Sequence, residues 1–335
     1  MKNMKQVICI VMSMLFFCVG CGTEKVSNDN NTVVENEFNN SEESSDGMDA
    51  MAENESRFAF GFTGEDKYIY NGDDVEVPFY LENSNSSEGE EVTVGIILLI
   101  DGNVQSYKLD ESDGEEVFKR ITLKPGENKD ITFYFKPVSG KKGDTVGILP
   151  VLIYNPDSLP EENAACFGNN QSLCANIPLE IEMKKDGENN LKEIKDGVEM
   201  GDIPEEIVAK YKSTIASGVQ DSLDADCVFS ILKENDDSCV INGKNGKITI
   251  TMRMFGGLNV EDKITVFVNN NPVKINGGDY FTVKMQKGKM ATITFDLDLS
   301  EYDEINSIYA IAMTSGKYYE LQDVYKTDSM LLVNR

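Results

Sequence analysis

Residues 75–82 read Val-Glu-Val-Pro-Phe-Tyr-Leu-Glu. Val75, Val77, Phe79 and Leu81 fall on one side of an extended chain, and Glu76, Tyr80 and Glu82 on the other. That is the period-two pattern of a strand with one buried face. The alternation returns at Ile131, Phe133 and Phe135 against Thr132, Tyr134 and Lys136, and at Ile177, Leu179, Ile181 and Met183 against Glu180 and Glu182. Residues 93–100 are more continuously apolar and turn at Asp101-Gly102, a hairpin signal. Residues 146–154 read as another strand. With residues 57–62 and two weaker stretches at 104–109 and 117–123, this makes seven or eight strands joined by short turns, the signature of a β-sandwich. Pro78 and Pro150 are expected at edges or bulges, because proline has no N–H for a central ladder.

The second half repeats the first. Tyr70-Asn71-Gly72 before the strand that starts at Val75 recurs as Ile241-Asn242-Gly243 before a strand over residues 247–255. Thr122-Leu123-Lys124 followed by Ile131-Thr132-Phe133 recurs as Thr282-Val283-Lys284 followed by Ile293-Thr294-Phe295. The expected inward set of this second unit is Ile248, Ile250, Met252 and Met254, then Ile264, Val266 and Val268, then Ile293, Phe295 and Leu297. The fold class is therefore all-β, with two copies of one sandwich, and tandem copies suggest modular extension rather than a single catalytic cleft. Between them the period changes. Asp202 is placed to cap a helix with Pro204 in its first turn, with Ile207, Val208, Tyr211 and Ile215 on one face and Gly218 ending it.

The N-terminus carries a different message. Lys2 and Lys5 precede an apolar stretch over residues 6–20, and Val19-Gly20-Cys21 is a small-residue cleavage site. The stretch is short against the ~20 residues needed to span a bilayer. It resembles bacterial lipoprotein signal peptides, in which the thiol directly after the cut is acylated, in the manner of a palmitate-type anchor. Cys18 stands at the third residue before Cys21, where such signals usually carry Leu. The resemblance implies lipidation of Cys21 and attachment to the extracellular face of the cell membrane, and two or more acyl chains anchor stably. Residues 22–56 are dominated by Asn, Ser, Asp and Glu and carry too little apolar surface to fold. The expected order is a signal peptide over 1–20, a disordered acidic spacer over 21–56, a sandwich over 57–183, a linker with a short helix over 184–225 and a second sandwich over 226–335.

Composition narrows the chemistry. Without the first twenty residues the chain keeps 29 basic and 58 acidic side chains, so phosphate backbones are repelled and no nucleic-acid partner is expected. The chain has no histidine and no tryptophan. Ser-His-Asp and Cys-His catalysis and the commonest metal ligand are thereby unavailable. Paired carboxylates could hydrolyse glycosides, but nothing selects a pair among 58. Glu65, Asp66, Asp73 and Asp74, and Asp296, Asp298, Glu301, Asp303 and Glu304, offer oxygens of the kind calcium takes. Asp296 and Asp298, however, alternate with Phe295, Leu297 and Leu299 as the wet face of a strand would. No catalytic residue, metal site or cofactor is expected, and the chain reads as a non-enzyme.

Four cysteines lie beyond the signal region: Cys166, Cys174, Cys227 and Cys239. Four thiols allow three pairings; chain proximity favours Cys166 with Cys174 and Cys227 with Cys239. Neither spacing suits zinc.

At Leu123-Lys124-Pro125-Gly126-Glu127, followed by Ile131-Thr132-Phe133-Tyr134-Phe135-Lys136-Pro137, the chain resembles bacterial immunoglobulin-like domains of the cell-adhesion-related (CARDB) type. There an L-x-P-G-E turn leads into a V-T-F strand that ends in Pro, and Gly-Asp-Thr before the next strand fits as well. Residues 57–183 carry the resemblance, and 226–335 follow it in outline, with Met285-Gln286-Lys287-Gly288 in place of the Pro-Gly turn. The resemblance implies surface modules that space, support or bind without catalysis. Two stretches are candidate contact surfaces for an extracellular protein or polymer: the long loop over 155–175, and the segment over 317–328 with Tyr318, Tyr319 and Tyr325. A passive structural or accessory subunit of a membrane complex is the other expectation.

Overall fold

The computed structural model describes residues 58–84, 89–110, 112–161, 167–175, 178–214, 227–233, 239–257, 259–317 and 324–335. Cys21 and the expected signal peptide and spacer lie outside these residues. The described chain is all-β apart from one helix, and its four sheets form two sandwiches.

The first sandwich uses β1 (Phe58–Phe62), β2 (Lys67–Tyr70), β3 (Val75–Asn83), β4 (Val92–Ile100), β5 (Asn103–Gln105), β6 (Lys119–Leu123), β7 (Asn128–Phe135), β8 (Thr145–Tyr154), β9 (Leu173–Ala175) and β10 (Leu179–Met183). One sheet has the order β1-β3-β7. The other runs β2-β10-β8-β4-β5, with β6 also on β4 and β9 on β8. Val75, Val77, Phe79 and Leu81 point into the core with Ile131, Phe133 and Phe135, as their alternation requires. The rings of Phe79 and Phe133 meet at 5.4 Å, and Tyr107 adds an edge contact to Phe133 at 5.2 Å. Residues 104–109, expected as a strand, are ladder-paired only at the start; Tyr107 then forms a single bridge to Glu116.

Both prolines sit where a missing N–H is harmless. Pro78 lies on β3 just past the last β1 partner, Phe62↔Phe79, and its carbonyl accepts from Thr63 N–H at 3.2 Å. Pro150 lies on β8 between the stretch paired with β10 (Thr145 to Ile148) and that paired with β9 (Val151 to Ile153). A gap in the ladder takes the residue that cannot donate.

The second sandwich comprises β11 (Glu193–Ile194), β12 (Val198–Asp202), β13 (Cys227–Ile231), β14 (Val240–Gly243), β15 (Lys247–Gly256), β16 (Glu261–Val268), β17 (Asn271–Pro272), β18 (Tyr280–Lys284), β19 (Lys289–Asp298), β20 (Ile305–Thr314), β21 (Val324–Lys326) and β22 (Met330–Asn334). Its sheets are β12-β19-β15-β13 and β11-β18-β16-β20-β22-β14, with β17 on β16 and β21 on β20. The inward set read from sequence forms its core, with Ile248 at the margin. The internal repeat extends to topology. In each sandwich a short strand runs parallel to the last strand, β2 with β10 and β14 with β22, while the other named pairs within each sandwich, except β11 with β18, are antiparallel. The turns also match although their sequences differ. Glu127 N–H reaches Lys124 O at 3.0 Å with Gly126 at φ 74°, and Lys289 N–H reaches Gln286 O at 3.0 Å with Gly288 at φ 73°. Glycine occupies the one turn position that needs positive φ, so Pro125 is dispensable.

The segment after Met183 is not a free tether. β11 and β12 join the two sheets of the second sandwich through β18 and β19. Helix α1 follows (Glu205–Thr214). Asp202 does not cap it. It ends β12 and accepts from Lys289 Nζ at 2.5 Å, and the amides of Ile207 and Val208 turn back to Pro204 O instead. Ile215 and Gly218 lie outside the described residues.

Candidate functional site

β4 and β8 are buried on both faces. Ile96, Leu98 and Ile100 of β4 point into the first core, whereas Ile97 and Leu99 point the other way, as do Leu149, Val151 and Ile153 of β8. The outward set packs on Phe267 of β16 and on Tyr309, Ile311 and Met313 of β20, which face away from the second core. The two inner sheets therefore stack face to face and make a third apolar layer between the sandwich cores. Burial on two faces explains the near-continuous apolar runs of these strands. Phe118 completes the layer with the tip of its ring against Gly95, where a Cβ would come 2.0 Å from Cζ.

Polar contacts frame this junction. Asp101, at φ 49° in the β4–β5 turn, accepts from Lys263 Nζ on Oδ2 at 2.9 Å and from Gly316 N–H on Oδ1 at 2.6 Å. Lys263 Nζ also donates to Asp101 O at 2.9 Å. Opposite, Asn270 Nδ2 donates to Pro156 O at 3.0 Å, and Tyr309 OH donates to Asn270 Oδ1 at 3.1 Å. Tyr309 stacks on Phe267 at 5.1 Å, and Lys326 Nζ stands 4.3 Å from its ring centroid while donating to Thr327 O and Ser329 Oγ.

The surfaces picked from sequence border this junction instead of standing apart from it. The loop over 155–175 returns as β9 on the edge of β8, and its Phe167 is buried against Leu331 and Val333 of the second sandwich. Gln171 fixes the loop by donating to Pro156 O and Ser158 O. Tyr325, on β21, is half-buried and packs against the second core; Tyr318 and Tyr319 lie outside the described residues. So does Cys166, the expected partner of Cys174, which is exposed on β9. The expected Cys227–Cys239 bridge is not formed. Cys227 opens β13 in one sheet, the chain then crosses to the other sheet before β14, and Cys239 Sγ accepts from Lys233 Nζ at 3.7 Å.

Among the described residues no group of three or more Cys, Asp or Glu side chains converges as a metal site would require. Asp296 accepts from Thr249 at 2.6 Å and Asp298 from Ser300 N–H at 2.9 Å, on the outer side of β19. An open recess of about 420 Å³ is lined by Asn242, Gly243, Lys244, Asn245 and Arg335. No nucleophile or acid–base pair lines it. Among the described residues, no helix is long and apolar enough to cross a membrane.

Burial pushes the Lys326 ammonium down to about 7, with the Asp328 carboxylate acting in the opposite direction. The unfolded chain keeps lysine's ordinary 10.5 and so binds more protons than the folded chain above pH 7. Stability should then rise with pH between about 7 and 10.5 and show no dependence on this group below about 7. Lys326→Met is expected to flatten that slope, read as urea midpoints between about pH 6 and about pH 9.

No family model matches the chain, and no curated protein matches it. Among solved structures, a CsuC–CsuE chaperone–tip adhesion subunit pre-assembly complex from archaic chaperone-usher Csu pili of Acinetobacter baumannii is 9% identical, with 81% of this chain and 98% of that chain covered and a TM-score of 0.21. Red sea bream transglutaminase is 9% identical over 86% of this chain and 32% of that chain, with a TM-score of 0.20. CBD12 from CALX1.2 is 8% identical over 82% and 99%, with a TM-score of 0.22. The assignment to two immunoglobulin-like β-sandwiches rests on the strand order and registers given above.

Proposed function

We propose that this chain is a membrane-anchored extracellular lipoprotein, held by lipid on Cys21, that acts as a non-catalytic binding or adhesion module. The observation that carries this reading is the N-terminal pattern: Lys2 and Lys5, an apolar stretch too short to span, and Cys21 after Val19-Gly20. The acidic residues over 22–56 act as a spacer that lifts the sandwiches from the membrane. Contact with an external protein or polymer falls to the polar outer sheets and the loops, because the apolar outward faces of the inner sheets are spent on each other. That same burial favours a second reading, a passive accessory subunit that contributes shape to a membrane complex.

Fractionation of cells making the full chain tests the anchor. The wild type is expected in the membrane fraction, with mass spectrometry finding a lipid-modified N-terminal Cys21; Cys21→Ser is expected to lose both. An unmodified Cys21 on a membrane-bound wild type would overturn the reading. Cross-linking in intact cells then separates the two roles: external partners support binding, and neighbouring membrane proteins support the accessory role.

A further inference from the structure

The two faces that meet at the junction are the same face of the repeated unit. In the first sandwich β4 and β8 pair with Val94 opposite Tyr154 and Ile100 opposite Ile148. In the second, β16 and β20 pair with Asp262 opposite Thr314 and Val268 opposite Ile308. Overlaying these registers matches Leu99 with Phe267, Leu149 with Tyr309, Val151 with Ile311 and Ile153 with Met313, all of them in the junction layer. Ile97 matches Thr265, which is buried on the same outward side. The overlay continues outward: β9 sets Ala175 opposite Val151, as β21 sets Lys326 opposite Ile311. Leu173 thus matches Val324, and both border the layer.

The polar contacts join equivalent turns to equivalent strand ends. The turn after β4 reaches the residue two past the end of β8's counterpart: Asp101 accepts from Gly316, and β20 ends at Thr314. The turn after β16 does the converse: Asn270 donates to Pro156, and β8 ends at Tyr154. The overlay matches Gly316 with Pro156 but Asp101 with Asn269, one residue before Asn270, so equivalent turns and strand ends meet without residue-for-residue pairing, which is the outline of an isologous, two-fold interface. A chance contact between tandem domains has no reason to pair equivalent strands, equivalent turns and equivalent strand ends at once.

The connection is short. Glu188 and Asn189 amides bind Pro137 and Val138 carbonyls of the first sandwich, while Lys192 exchanges hydrogen bonds with Asp279 of the second. Only residues 190 and 191 lie between. Opening there separates the two faces and leaves each sandwich core intact. We infer that the junction is a homotypic docking surface, and that a second copy of this chain fills it by exchanging sandwiches about residues 190 and 191. The second copy is the occupant because its sandwiches present the same two faces, turns and strand ends that already answer each other within one chain, and exchange of identical elements is a low-cost route to association.

The test places a specific protease site between Asn190 and Leu191 of the full chain and cuts the folded protein. The halves are expected to elute together, and cut chains carrying a tag are expected to form mixed pairs with cut untagged chains on incubation. Ile311→Asp should weaken association of the cut halves by roughly 30-fold or more, as loss of a buried anchor at an interface centre does. Halves that part on cutting while each keeps its β circular-dichroism spectrum would overturn the inference. So would halves that precipitate, since the face would then be ordinary core, or halves that stay paired without ever exchanging.

Discussion

Tyr309→Ala should cost about 3–5 kcal/mol of unfolding free energy, the range for truncating a large buried aromatic. The ring is fully buried, stacks on Phe267 at 5.1 Å and has the Lys326 Nζ 4.3 Å from its centroid. Its hydroxyl also holds Asn270, whose amide reaches Pro156 of the first sandwich. Tyr309→Phe keeps the ring and loses only the hydrogen bond, so about 1 kcal/mol is expected. Urea unfolding measures both. Because Tyr309 sits in the layer shared by both cores, the alanine variant should also lose coincidence between probes placed on the two sandwiches. A loss under about 1 kcal/mol for Tyr309→Ala would mean that the junction contributes little to stability.

How legible this arrangement is in the sequence depends on what each strand faces. β3, β7, β15 and β19 form the outer sheets, with one wet side, and their alternation gives the inward residues directly: Phe79, Phe133, Met252 and Phe295 are all buried as that pattern demands. β4 and β8 belong to the inner sheets. Their runs, with hardly a polar residue after Thr93 and from Val146 to Ile153, already say that both sides are covered. What they cannot say is by what. Ile97 and Leu149 share one apolar layer with Tyr309 and Ile311, far along the chain, and β20 carries Asn306 and Ser307 within its run, which blurs the signal.

Local chemistry is legible at Asp101-Gly102 and misleads at other positions. Asp101-Gly102 is the hairpin turn its residues announce, yet the Asp101 carboxylate also serves a lysine 162 residues away. Asp202 and Pro204 have the order of a helix start, but Asp202 is still in β12, paired with Lys289, and the helix begins three residues later at Glu205. Cys227 and Cys239 are close in sequence, but one opens β13 in one sheet and the other precedes β14 in the facing sheet. Phe167 is a lone aromatic in a polar loop, and its burial depends on a sandwich that the local sequence does not describe.

The charged contact at the junction supports the other large effect. The Asp101 and Lys263 side chains are 15% and 12% exposed, so the pair is shielded on most sides. Asp101→Asn suits the left-handed backbone at φ 49°, which asparagine tolerates, and still offers an oxygen to Gly316 N–H. What it removes is the charge facing Lys263, leaving that ammonium with the Asp101 carbonyl and the Tyr280 ring at 5.6 Å. Breaking a buried pair from one side costs about 3–5 kcal/mol, and the remaining exposure reduces the expectation here to about 2–3 kcal/mol. Lys263→Met alone should cost less, because Asp101 keeps the Gly316 amide. The double variant should recover part of the Asp101→Asn loss, since no uncompensated cation remains, giving a coupling of about 1 kcal/mol or more in a urea-unfolding cycle. Strict additivity, with Asp101→Asn within about 0.5 kcal/mol of wild type, would assign the hold between the sandwiches to the apolar layer alone.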